Sequence, residues 1–87
     1  MRAVAFALAL LLSATVSAAG EEFKGSCVYG LAEYGVDVKT NCSIRWADPS
    51  TGKVYCFGNE EVLVKFLKDP AANIHKAEQT YAKYYSK

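Results

Sequence analysis

Histidine occurs once in this 87-residue chain, tryptophan once, proline twice and cysteine three times. The three cysteines include no Cys-x-x-Cys pair, and the lone His75 has no evident triad partner, so nothing in the sequence assembles a catalytic thiol. An enzyme is not expected. There is no internal repeat, no low-complexity tract and no charge excess: the formal net charge is +1. A balanced charge gives no electrostatic reason to expect nucleic acid or an anionic membrane as partner. No apolar run is long enough to span a bilayer, for which about 20 residues are needed.

One shorter apolar run is present. Arg2, the stretch Ala3 to Leu12, and the small residues Val16-Ser17-Ala18-Ala19 form the three-part pattern of a secretory leader, cleaved after Ala18 or Ala19. Glu21, Glu22 and Lys24 separate Cys27 from that run, which argues against a lipid anchor there. The expected organisation is a removed leader over 1–19, a polar lead over 20–26 and one domain over 27–87, periplasmic or secreted. With Arg2 gone, nine basic residues balance nine acidic ones. A core this small supplies only about 3–5 kcal/mol by itself, and a cross-link would help.

The strongest local signal is VDVKTNCSIRW. Val36, Val38, Thr40, Cys42, Ile44 and Trp46 alternate with polar residues, which predicts a half-buried strand or bent strand pair. ADPSTG reads as a loop and KVYCF as the return strand of a β-hairpin. Asn59 is a good N-cap, with Glu60 and Glu61 at the positive end of a helix dipole. Val62, Leu63, Phe66 and Leu67 recur at helical spacing, predicting a helix over about Glu60 to Lys68. Asp69-Pro70 then opens a second helix to about Tyr84, with Ile74, Ala77, Tyr81 and Tyr84 on one face. Gly30 and Gly35 bracket something short. The fold class expected is α+β, a small antiparallel sheet packed against two C-terminal helices. Its core would be built from Trp46, Ile44, Val54, Phe57, Leu63, Phe66 and Ile74, with Trp46 and Phe66 among the most buried.

Cys42 and Cys56 fall on opposite arms of the hairpin. With Trp46 facing either Gly52 or Val54, strand parity puts both sulfurs on one face, close enough to bond or to grip one ion. Cys27 can join them, depending on how the N-terminal segment folds back. Three thiolates suit Cu(I), or less readily Zn(II) with His75 as fourth ligand. The competing reading is one Cys42–Cys56 disulfide beside a buried thiol, with His75 a solvated helix residue. The tyrosines near the C-terminus pose a similar choice, between a sticky patch and a helix face folded on its own core.

The run Gly52-Lys53-Val54-Tyr55-Cys56-Phe57, then Glu60-Glu61, then Phe66-Leu67-Lys68-Asp69-Pro70, resembles the YHS domain, a relative of the TRASH metal-binding modules. Cys27-Val28-Tyr29-Gly30 is similar to that family's opening Cys-Pro-Val-x-Gly. The likeness spans about Cys27 to Ala77. Metal-binding members carry cysteines directly after the Phe and four residues later, where this chain has Gly58 and Val62. The resemblance therefore implies an exported variant without the usual pair, in which Cys42 and Cys56 supply either a relocated thiolate site or a disulfide. It implies a metal-handling or metal-responsive module, with copper the leading ion and an envelope protein a further partner. The alternative is a disulfide-stabilised protein-binding module with no metal.

Overall fold

The computed structural model describes residues 20–86, so the expected leader lies outside the described residues. The fold is α+β: a two-stranded antiparallel sheet of β1 (Ile44–Ala47) and β2 (Val54–Phe57), followed by α1 (Glu60–Phe66) and α2 (Pro70–Tyr85). Among the described residues no helix is long and apolar enough to cross a membrane.

Both helices start where their capping residues dictate. The Asn59 side chain accepts from the Val62 N–H at 2.9 Å, and the Asp69 side chain accepts from the Ala72 N–H at 3.2 Å. Pro70 follows at the first helical position, where its missing N–H costs nothing. Between the helices, the Phe66 carbonyl accepts from the Asp69 N–H at 3.2 Å and from the buried Asn73 amide at 3.0 Å, which ties the start of α2 to the end of α1.

The strand expected over Val36 to Trp46 is broken in the middle. Only Ile44–Ala47 pairs with β2, because the Thr40 and Asn41 side chains offer the backbone local partners. The Thr40 hydroxyl accepts from the Cys42 N–H at 3.0 Å, the Asn41 side chain accepts from the Ser43 N–H at 3.0 Å, and Cys42 takes a left-handed φ of 59°. Upstream of this break, Lys39 pairs antiparallel with Ser26, flanked by Cys27 N–H to Val38 carbonyl at 2.8 Å and Thr40 N–H to Gly25 carbonyl at 3.1 Å.

The residues before Cys27 are tied to the sheet by isolated bridges. Glu21 bridges Val54 and Cys27 bridges Cys56, both parallel, on the edge of β2 opposite β1. The chain between them bulges out in a left-handed turn, Glu22–Gly25, with φ of 57° at Phe23, 54° at Lys24 and 86° at Gly25. β2 thus has partners on both edges, β1 on one side and, through isolated bridges, Ser26–Cys27 and then Val38–Lys39 on the other. A π-type turn, Gly30–Tyr34, closes on Gly35 in the left-handed region at φ 67°.

The core lies on one face of this assembly. Tyr55 and Phe57 of β2 meet Val28, Leu31, Phe66 and Ala77, with Ile44, Trp46, Leu63 and Ile74 packed around them. Phe66 is the hub: its ring lies 5.1 Å from Phe57, 5.5 Å from Trp46 and 6.2 Å from Tyr55. Phe66 is fully buried as expected, but Trp46 is only half-buried. Trp46 lies on β1, an edge strand, so one side of the indole is left uncovered, and Tyr55, Val28 and Leu31 fill the centre instead.

Candidate functional site

The opposite face of the sheet carries the cysteines. Residues opposed in a ladder project to the same side, so Cys27 shares a face with its bridge partner Cys56, away from Tyr55 and Phe57. The chain leaves the far edge at Thr40, beside Gly25, and reappears opposite Phe57 at Ile44. To do so it crosses beneath this face, and a disulfide between Cys42 and Cys56 staples the crossing at a Cα–Cα distance of 4.9 Å.

The expected meeting of Cys42 and Cys56 is therefore observed, but for a different reason. β1 and β2 adopt the register Trp46–Tyr55 and Arg45–Cys56, neither of the two even registers expected. By parity alone Cys42 would project with Ile44 and Trp46, away from Cys56. The left-handed turn at Cys42 reverses that and brings the sulfur under β2.

Cys27 is the free cysteine among the described residues, and it is buried. Its Sγ accepts from the Gly30 N–H at 3.4 Å. It sits in the wall of a cavity of about 190 Å³ completed by Gly30, Tyr34, Val36, Val38, Gly58, Asn59 and Val62. Tyr34, Val36 and Val38 are 60%, 40% and 49% exposed, so the mouth of this cavity is an apolar surface open to solvent. Gly58 and Val62, which offer no ligand atom, stand around the same cavity as Cys27.

His75 is exposed on α2, and among the described residues no cluster of three His, Cys, Asp or Glu side chains is assembled to hold a metal ion. In this oxidised form the thiolate donor set reduces to Cys27, because a disulfide sulfur of Cys42 or Cys56 is no longer a thiolate. One thiol does not fit Cu(I) or Zn(II).

A polar latch beside the cysteine segment carries no signal in the sequence. Asp37 accepts from the hydroxyls of Ser26 and Tyr85, and Lys39 lies 3.7 Å from the Asp37 carboxylate and 3.1 Å from Ser26 Oγ. The Tyr84 hydroxyl donates to the Gly35 carbonyl at 3.0 Å. Tyr81 packs on Phe23 at 5.1 Å, so the aromatic end of α2 folds back on its own chain.

The Ser26 hydroxyl, then that of Tyr85, holds the Asp37 carboxyl below its usual range despite partial burial. The same hydrogen bond pushes the Tyr85 phenol up to about 12. A lowered carboxyl gives stability above its ordinary value that is lost as pH falls through the lowered one. A raised phenol gives stability below about 10 that is lost as pH climbs toward 12. The difference in melting temperature between the wild type and Tyr85→Phe should thus be greatest from about pH 5 to 9 and shrink on both sides. A difference that is flat with pH would show that the latch does not form in solution.

No protein-family model, curated protein or solved structure matches this chain.

Proposed function

We propose that this chain is an exported, non-enzymatic binding module, held together by the Cys42–Cys56 disulfide and docking a protein partner on its cysteine-bearing face. The observation that carries this reading is the pairing itself. Two of the three thiols are used structurally, and what the face then presents is the exposed apolar rim of Tyr34, Val36 and Val38 around the Cys27 cavity. Contiguous exposed apolar surface on so small a domain is the usual mark of an interaction site. A disulfide suits an oxidising compartment such as a periplasm or the extracellular space, in keeping with the leader pattern over 1–19. The YHS-like run fits the same reading: with Gly58 and Val62 in place of cysteines, the cavity where Cys27 stands has become apolar.

The test is photo-crosslinking in the exporting cell, with a benzoylphenylalanine placed at Val38 or, as control, at the exposed Glu78 on α2. Val38 should yield a discrete protein adduct that Glu78 does not give and that Val36→Asp abolishes without lowering the melting temperature. The same adducts from both positions would end the proposal.

A second reading, copper handling, is favoured by one observation: Cys56 is at once the disulfide partner of Cys42 and the bridge partner of Cys27. Reduction would leave three thiols on one face, a donor set that suits Cu(I). A chelator competition under reducing conditions checks it. Wild type should then hold Cu(I) far more tightly than Cys27→Ser, and equal retention by wild type and a triple Ser variant rules copper out.

A further inference from the structure

Cys56 has two cysteine neighbours and can bond only one at a time. The backbones of adjacent strands stand about 4.8 Å apart, so the bridge between Cys27 and Cys56 sets them at nearly the same separation as the bonded pair, whose Cα atoms are 4.9 Å apart. Both separations fall inside the span a disulfide accepts. The two candidate partners also lie on the same face of β2. Cys42, in contrast, is held in a left-handed conformation that a residue with a Cβ rarely adopts, in a segment attached to the face by the disulfide.

We propose that the three cysteines form an internal thiol–disulfide exchange site with two isomers. In the exchange, Cys27 gives up its proton to solvent and its thiolate attacks Cys56 Sγ. The Cys27–Cys56 bond forms as the Cys56–Cys42 bond breaks, and Cys42 leaves as a thiolate that takes a proton back. No electron enters or leaves, so no external oxidant or reductant is needed. The first isomer keeps a thiol in the wall of the apolar cavity and ties down the crossing from Thr40 to Ile44. The second consumes the cavity thiol, ties Ser26–Cys27 to β2 covalently, and frees the crossing with a thiol at Cys42. A molecule seated in the cavity against Cys27 would hold the protein in the first isomer. The exchange is a property of the isolated chain and does not depend on the partner proposed above.

Native oxidised protein is incubated with N-ethylmaleimide, quenched in acid and mapped by mass spectrometry without reduction. The expected product is a species alkylated at Cys42 and linked Cys27–Cys56, alongside one alkylated at Cys27 and linked Cys42–Cys56. The first species should be lost altogether in Cys27→Ser. Alkylation confined to Cys27, with Cys42–Cys56 intact throughout, overturns the proposal. So does a comparable share of Cys27–Cys42 linkage with alkylated Cys56, which reports scrambling through unfolding. Air-oxidised Cys42→Ser gives a second reading: a Cys27–Cys56 disulfide and no free thiol are expected, and a folded variant retaining two free thiols contradicts the exchange. Should that variant fail to fold, the wild-type map decides by itself.

Discussion

Phe66→Ala is expected to unfold the domain at room temperature. The side chain is fully buried and its ring meets those of Trp46, Tyr55 and Phe57. Removing a buried phenylalanine costs about 3–5 kcal/mol in lost transfer energy and residual cavity. A domain of this size has little more than that in total. α1 would also lose its only buried residue, and with it the anchor that presents the Phe66 carbonyl to Asn73. Urea titration followed by far-UV circular dichroism checks this. A variant with an unchanged midpoint would mean that α1 does not pack on the sheet through Phe66.

Reduction of the Cys42–Cys56 bond is expected to lower stability by nearly as much. The bond spans a sequence separation of 14, and closing a loop of that length is worth about 3 kcal/mol in chain entropy. For so small a domain this corresponds to a fall in melting temperature on the order of 10–20 °C. The bond also holds the one segment that crosses the sheet face, so its loss should loosen residues 40 to 43 before the core. Hydrogen exchange with and without a phosphine reductant measures both effects. Equal melting temperatures in the two conditions would show that the staple contributes nothing, and would remove the main support for the disulfide-stapled reading.

Local chemistry determined a good part of this protein from its sequence. Asn59 and Asp69-Pro70 each place a helix start because the capping acceptor and the proline act within a single turn. The helical spacing of the α1 residues marks Phe66 as the inward position, and the ADPSTG turn sets the hairpin. The Asp48 side chain, for instance, accepts from the Ser50 N–H and hydroxyl within that turn. These features need no information from elsewhere in the chain.

The rest depended on contacts distant in sequence. The alternation from Val36 to Trp46 reads as continuous because period 2 registers polarity and not dihedral angle, so a single left-handed residue at Cys42 passes unseen while it reverses the face of everything before it. The N-terminal segment has little apolar character of its own, and pairs because the free edge of β2 offers backbone partners to Glu21 and Cys27. The latch of Ser26, Asp37, Lys39 and Tyr85 joins residues up to 48 positions apart, and none of them is distinctive alone. The sequence by itself supplied three cysteines and the possibility that they meet. Which two bond, which one faces the cavity, and that Cys56 stands between the others were decided by tertiary structure, because strand register and one reversed turn set where each sulfur points.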